Sequence, residues 1–440
     1  MAQMTPRTPR PTRAWWTRLD RAHWIILGIA ALGWLFDTMD GQIFLASRSI
    51  TLRDLLPGEA ESVRRQYGSL CTSLFILGWA AGGLVFGMLG DRWGRAKTMA
   101  LTILLYAGFT GLSALARTWL EFGALRFLTG LGVGGEFAAG AALVAETMPE
   151  AARARALGLL QSLSAVGNVA GAALLGLVEP VWGWRGLYLV GAFPALLAVL
   201  VRLRLKEPAK WTAARATARG KPLGSLRELF ADSRWRPRAL VGVSLAIAGV
   251  IGLWGIGFYS PELIDEVLGG LPHDELTAIK SRALILQQVG AFAGMWTFAV
   301  LAERFGRVPA FRVAFGAAWS SLLLVFLGFR SPGQIWWMWP LLGFGTLMPF
   351  GGYALYFPEL FPTRLRTTGT GFCYNTGRVV AALGPPLLAW LAVALDGRVI
   401  QMRAPVDSDQ RVAFLSRVEN LEIKPAQAMA KVIINARTGS

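Results

Sequence analysis

The sequence predicts an all-α protein that crosses a membrane many times, and three observations predict it. Of its 440 residues, 54% are hydrophobic and only 16% charged, against about 25% charged in an ordinary soluble domain. Runs of roughly 20 apolar residues, long enough to cross a bilayer as helices, recur along the chain. The basic residues gather in alternate gaps between those runs, the pattern of loops on one side of a membrane. The same figures exclude a disordered chain, a disulfide scaffold and almost any soluble enzyme, since a soluble protein of this size needs far more charge on its surface. A net charge of +17 in isolation fits nucleic-acid binding, but its confinement to alternate loops argues against that partner. Cys71 and Cys373 fall in apolar runs, and His23 and His273 are isolated, so neither a disulfide framework nor a metal site is expected.

Eleven spans are predicted, at 23–47, 67–90, 98–117, 119–145, 156–179, 186–203, 239–259, 282–302, 309–328, 334–357 and 369–395. The first is not a cleavable signal: its apolar run is too long, it carries two aspartates, and no small-residue cleavage site follows. A basic tail, 1–22, precedes it with Arg7, Arg10, Arg13, Arg18 and Arg21. Six spans occupy 23–203 and five occupy 239–395. Between them, 204–238 holds Arg204, Lys206, Lys210, Arg227, Arg236 and Arg238, with Gly220, Pro222 and Gly224 suiting a linker. The loop after span seven is acidic instead, with Glu262, Asp265 and Glu266. The bias in Lys and Arg places the N-terminus and the linker in the cytoplasm. The expectation is a multi-pass protein of the plasma membrane, of the bacterial inner-membrane type. Gly78, Gly82, Gly83 and Gly87, and Gly130, Gly132, Gly134 and Gly135, lie within spans. Close helix packing through small residues explains them; no strand precedes either run, which argues against a phosphate-cradling loop.

Two motifs recur. Gly87-x3-Asp91-Arg92-Trp93-Gly94-Arg95 follows span two, and Ala299-x3-Glu303-Arg304-Phe305-Gly306-Arg307 follows span eight, 212 residues later. Glu146-x2-Pro149-x3-Arg153-x4-Gly158 follows span four and returns as Glu359-x2-Pro362-x3-Arg366-x4-Gly371, 213 residues on. Two independent motifs at one spacing indicate a duplicated unit, a common transporter plan.

The twice-used acidic-Arg-x-Gly-Arg loop resembles the signature of the major facilitator superfamily. Arg126-Phe-Leu-Thr-Gly-Leu-Gly-Val-Gly-Gly-Glu136, Glu146 to Arg153, and Lys206-Glu207-Pro208 resemble its metabolite:proton symporter and sugar-porter branch. Phe36-Asp37-Thr-Met-Asp40-Gly41 resembles the aromatic-acid and sialate proton symporters. The resemblance covers about 20–395 and implies two six-helix bundles rocking about a central site, with the twelfth span missing here. It also implies a conformational latch formed by Gly87, Asp91, Arg92, Gly94, Arg95, Glu303, Arg304, Gly306, Arg307, Glu146, Arg153, Glu359 and Arg366. Plain positive-inside topology accounts for the arginines of the repeated loops, but not for Asp91, Glu303 or the glycines. A carboxylate there can meet an arginine or a helix N-terminus in one conformation and not in the other.

Five charges fall inside spans: Asp37, Asp40, Arg126, Glu136 and Arg378. Each costs about 2.5–3.5 kcal/mol at a helix centre on the insertion scale, and such residues are functional by default. None has a charged counterpart at the repeat spacing, so one asymmetric chemical site sits in a repeated frame. At about 1.5 Å of rise per residue, Asp37 lies roughly 13 Å, Asp40 roughly 9 Å and Arg126 roughly 10 Å from the outer ends of their spans. Both aspartates share a helix face and are in range of Arg126; Glu136 is roughly 15 Å deeper. A buried ion pair is a poor stabiliser, which favours proton coupling by Asp37, Asp40 and Arg126. The resemblance prefers Asp37, with Asp40 second. Arg378, near the midplane, has no acidic partner on its own span. It suits either a substrate carboxylate or pairing with Glu136, and the two alternatives stand side by side. Gln161, Asn375 and Tyr374 are further substrate-binding candidates, the first by resemblance, with interhelical hydrogen bonding or core packing the plain alternative. Asn168, Trp254, Tyr353 and Tyr356 have the same two readings.

After residue 395 no apolar run follows, and the polar tail 396–440 departs from the resemblance. A truncated or frame-shifted end and a genuine appended segment are both open. The expected function is secondary active transport, by alternating access and without enzymatic catalysis, of a small carboxylate in symport with protons. A sugar porter, an exporter and a non-transporting sensor are the alternatives. The expected partners are the substrate, protons and the lipid bilayer, with the chain acting as a monomer and requiring no cofactor.

Overall fold

The computed structural model describes residues 14–194, 201, 204–218, 222–250, 260–268 and 270–382. The tail 1–13, the expected span portions at 195–200, 202–203, 251–259 and 383–395, Trp254, Gly220 and the tail 396–440 lie outside the described residues.

Regular structure among the described residues is helical. The α-helices are α1 (Arg21–Leu55), α2 (Glu61–Trp93), α3 (Arg95–Ser113), α4 (Trp119–Thr147), α5 (Glu150–Gly191), α6 (Ala209–Ala216), α7 (Leu226–Ala231), α8 (Trp235–Val250), α9 (Ser260–Leu268), α10 (His273–Phe305), α11 (Arg307–Gly328), α12 (Ile335–Leu360) and α13 (Arg366–Ala382). Local chemistry sets several ends. The Asp20 carboxylate accepts from the backbone N–H of His23 at 2.9 Å and starts α1. The Thr118 hydroxyl accepts from Glu121 N–H at 3.2 Å and starts α4. Gly94 (φ +120°) and Gly306 (φ +95°), the glycines of the repeated loops, separate α2 from α3 and α10 from α11. A side chain is strained at such φ, so glycine is the residue that turns the chain there.

The structure corrects the expectation of eleven spans in a six-span and a five-span group. Six described helices are long and apolar enough to cross a bilayer: α1, α2, α4, α5, α10 and α11. A run with few charges is not the same as a run of high hydropathy. The expected third span, α3, has 19 residues but opens on Arg95 and Lys97 and carries Thr98, Thr102, Tyr106 and Thr110. The expected tenth, α12, has 26 residues, diluted by Trp336, Trp337, Trp339 and by Pro340, Pro349 and Pro358. Expected span five and the start of span six fall within α5, and Gly183 (φ +63°) breaks its helical geometry between them. The described parts of the seventh and eleventh, α8 and α13, have 16 and 17 residues.

Glycine seams hold the frame. A Cβ on Gly78 or Gly82 would strike the carbonyls of Phe127 or Leu131, and one on Gly130 or Gly134 those of Phe75 or Trp79, so α2 and α4 touch backbone to backbone. The same seam joins α10 to α12: Gly290 meets Pro340, Gly294 meets Phe344, and Gly343 meets Gln287. Gly78 and Gly290, Gly82 and Gly294, and Gly130 and Gly343 stand 212 to 213 residues apart. The internal repeat therefore governs packing as well as loops, through the small-residue contacts that replace hydrophobic driving force inside lipid. The glycines at 167 and 171 bring α5 onto the Leu35 and Met39 carbonyls of α1, Gly371 brings α13 onto Gly83 of α2, and Gly158 of α5 faces Ala299 of α10.

Candidate functional site

Asp37, Asp40, Arg126, Glu136 and Arg378 are all buried, none more than 4% exposed. Their partners differ. Arg126 Nη1 stands 3.6 Å from Asp40 Oδ2. Thr110 donates to Asp40 Oδ1 at 2.6 Å, and Arg126 Nη2 donates to Ser113 Oγ at 2.6 Å. The guanidinium is boxed by aromatic rings, with Tyr188 at 4.8 Å and Phe44 and Phe122 at 5.8 Å. Cations over ring faces are attracted, more so when desolvated. Of the two aspartates expected in range of Arg126, it is Asp40, the second choice by resemblance, that stands beside it. Asp37, three residues away, keeps both carboxylate oxygens buried without a hydrogen-bond partner, as does Glu136.

Arg378 is held by neutral groups. Its Nη1 donates to the Tyr374 carbonyl at 3.2 Å and to Asn375 Oδ1 at 3.3 Å. Its guanidinium carbon lies 4.0 Å from the centroid of the Trp79 ring and 4.2 Å from that of Tyr374. Among the described residues no carboxylate lies within ion-pair distance of it, so the Glu136 pairing is not made. Asn375 donates to the Gly371 carbonyl at 2.9 Å and packs against Gly83, where any Cβ would collide with it. Tyr374 stacks on Phe137 at 4.2 Å and borders Trp34, Phe350, Tyr353 and Phe357. Gln161 is buried with Oε1 unpartnered. Asn168 spans from α5 to α10, donating to Gln288 at 3.1 Å. Tyr353 donates to the Leu245 carbonyl, while Tyr356 packs on Phe311. Arg378, Tyr374, Asn375 and Trp79 thus form one cluster, whereas Asp40 and Arg126 form a second. Sequence reasoning missed Trp79, which no charge or motif distinguishes from the other tryptophans.

The repeated loops meet across the chain. Asp91 accepts from the backbone N–H groups of Thr367 and Thr368 at 3.2 and 2.9 Å and from the Thr368 hydroxyl at 2.6 Å. It therefore caps α13, where the helix dipole favours a negative charge. Arg95 Nη2 pairs with Asp91 at 3.0 Å and with Glu146 at 2.9 Å. Arg366 reaches the same glutamate at 3.1 Å, and the Thr368 hydroxyl also lies 3.4 Å from the Gly87 carbonyl. Arg92 donates to the carbonyls of Leu223 and Gly224. The second copy is looser. Arg307 forks onto Glu359 at 3.0 and 2.8 Å, and Glu303 meets Arg155 at 2.6 Å. Arg153, of the same expected latch set, has a buried, unpartnered Nε, and Arg304 lies over the Phe305 ring at 5.4 Å.

The linker adds contacts that the spacing did not reveal. Glu207 accepts from the backbone N–H groups of Arg95 at 2.7 Å, Ala96 at 3.3 Å and Lys97 at 3.2 Å, capping α3. Trp211 Nε1 donates to the Asp91 carbonyl at 2.8 Å, and Glu228 grips both Nη atoms of Arg364. The only sequence signal for Glu207 is its place in Lys206-Glu207-Pro208; Thr367 and Thr368 carry only their place at a helix start.

Comparison with known proteins follows the same outline. The family model "Major Facilitator Superfamily" matches residues 24–385, and the model "Flagellar P-ring protein" matches residues 373–440. A putative metabolite transport protein of Haemophilus influenzae is 33% identical, with 86% of this chain and 91% of that protein covered. The cis,cis-muconate transport protein of Acinetobacter baylyi is 32% identical, with 73% and 77% covered. Among solved structures, the proton:xylose symporter superposes with a TM-score of 0.65 at 19% identity, covering 85% of this chain and 90% of that one; it shares the fold.

Proposed function

The chain belongs to the Major Facilitator Superfamily, and from that premise we propose how its buried charges serve transport of a small carboxylate in symport with protons. It is a multi-pass membrane protein and a secondary transporter. The observation that carries the substrate reading is Arg378: a buried guanidinium between the Trp79 and Tyr374 rings, with no carboxylate beside it among the described residues. A buried cation without a counter-charge is costly. A bound carboxylate supplies that charge, in the two-donor geometry that a guanidinium favours. The relative that carries cis,cis-muconate, a dicarboxylate, is in keeping with such a site.

Protonation of Asp40 switches its pair with Arg126. With the proton absent, the carboxylate and guanidinium attract; with it present, the pair loosens and the arginine is held by Ser113, Thr110 and the rings alone. The loop network from Asp91 to Thr368 and from Arg95 to Glu146 is the latch, closed in this conformation. It lies on the cytoplasmic side, with the N-terminus, by the Lys and Arg bias of the linker. The chain works as a monomer in a bacterial-type inner membrane.

Purified protein in sealed proteoliposomes tests the reading. An inwardly directed proton gradient is expected to drive accumulation of cis,cis-muconate and not of D-xylose. Accumulation of xylose alone would make it a sugar porter, and accumulation of neither would remove the carboxylate reading.

A further inference from the structure

Three carboxylates line one face of α1. Positions 33, 37 and 40 share that face by helical spacing. Asp37 and Asp40 belong to α1 itself, and the third carboxylate is brought by α4. Glu136 Oε1 lies so close to Gly33 that any side chain there would collide with it, and with Met99 Cε of α3. Gly33 is thus a notch that seats the Glu136 carboxyl one turn before Asp37, about 6 Å along the axis, with Asp40 about 4.5 Å further.

The three are not equivalent. Asp40 is answered by Arg126 and Thr110. All four oxygens of Asp37 and Glu136 are buried and unpartnered. Among the described residues the charged and titratable groups around them are Asp37 and Asp40 on α1, Tyr106 on α3, whose hydroxyl is also orphaned, Arg126 on α4 itself, and Arg378 on α13. Arg126 is engaged with Asp40, and Arg378 acts on Asp37 from its cage of rings. Among the described residues nothing positive is left for Glu136. An ionised carboxylate in that place would lack a donor and a counter-ion and would face a like charge. That is the case in which a buried acid holds its proton instead.

We propose that Glu136 is a second coupling-proton site beside Asp40: in this conformation Glu136 holds a proton, and two protons cross with each substrate. Each step moves only a proton, bound by a carboxylate oxygen in one conformation and released to water in the other. The inference rests on the proton-coupled reading above.

The test compares wild type with Glu136→Gln and Glu136→Asp in proteoliposomes. The proton-to-substrate ratio is read from the pH gradient and membrane voltage at which cis,cis-muconate flux reverses. Two protons per muconate are expected for wild type and Glu136→Asp, and one for Glu136→Gln. Infrared spectra without substrate provide a second readout: a protonated-carboxyl C=O band present at neutral pH in wild type should vanish in Glu136→Gln. Since an amide mimics a neutral acid, Glu136→Gln should insert and fold as wild type does. The proposal is overturned by an unchanged ratio, by an unchanged band, or by failure of Glu136→Gln to insert while Glu136→Asp inserts. If wild type carries no muconate, the transport reading fails, and the infrared band still decides whether Glu136 holds a proton.

Discussion

Asp91 takes both the backbone N–H and the hydroxyl of Thr368, at 2.9 and 2.6 Å, from a position 277 residues earlier in the chain. The contact joins the end of α2 to the start of α13, and it exists only while those two helix ends are together. Hydrogen bonds to a charged group contribute about 1.5–3 kcal/mol each. Asp91→Asn, which keeps the shape and loses the charge, is expected to shift the conformational equilibrium about tenfold or more toward the state open at this end. Thr368→Val should shift it less. Thiol labelling of a cysteine introduced near Gly371 reads the shift, and equal labelling in all three proteins would remove Asp91 as a latch.

The clasp between Glu228 and Arg364 ties linker helix α7 to the turn ahead of α13. Both side chains are mostly buried, so the pair is less screened than a surface ion pair. Glu228→Gln should raise labelling at the same position by a smaller factor than Asp91→Asn. Because the two contacts share the α13 end, the double variant should be less than additive.

Arg126 is expected to need Asp40 more than Asp37. Asp40→Asn should abolish gradient-driven accumulation of muconate and spare counterflow exchange. Arg126→Ala strands a buried carboxylate, a loss of about 3–5 kcal/mol, and should cut membrane expression sharply. Adding Asp40→Asn to Arg126→Ala should restore much of that expression, whereas adding Asp37→Asn should not. Restoration by Asp37→Asn would reassign the pair.

Arg378→Lys should weaken muconate binding about tenfold, because an ammonium cannot reproduce the planar fork. Arg378→Gln should weaken it further and leave expression intact, since removing an unpaired buried charge relieves desolvation. Tracer binding with quantified membrane expression checks both; unaltered affinity in Arg378→Gln would end the case for a carboxylate.

The two turn glycines predict an asymmetry. Both have positive φ, so alanine at either is strained, by about 1 kcal/mol or more. At Gly306 a Cβ meets nothing within 4 Å, whereas at Gly94 it collides with the Glu207 carboxylate that caps α3. Gly94→Ala should therefore lower thermal stability in detergent more than Gly306→Ala; the reverse order would put Glu207 elsewhere.

What could be read along the chain was whatever is local or periodic. The repeated loops announced the duplicated frame, and their glycines became the positive-φ turns at 94 and 306. Charges in apolar surroundings marked Asp37, Asp40, Arg126, Glu136 and Arg378 as buried. The number of crossing helices was not legible, because low charge in α3 and α12 conceals threonine, tryptophan and proline that lower their hydropathy. Nor was the repeat of the glycine seams evident as packing until Gly78 and Gly290 were both found against backbone carbonyls.

Residue type along the chain settles the energetic cost of burial, and burial cost is why five charges stood out as a site. Partnership is another matter, since a carboxylate's neighbours come from helices far away in sequence. Asp37 and Asp40 share a face and a charge, yet Thr110 and Arg126 meet one and leave the other bare. Glu136 and Arg378, equal candidates for an ion pair on sequence grounds, stand apart because Gly33 seats the first while Trp79 and Tyr374 enclose the second. Those choices depend on ångström-scale approach between helices, which no one-dimensional pattern encodes.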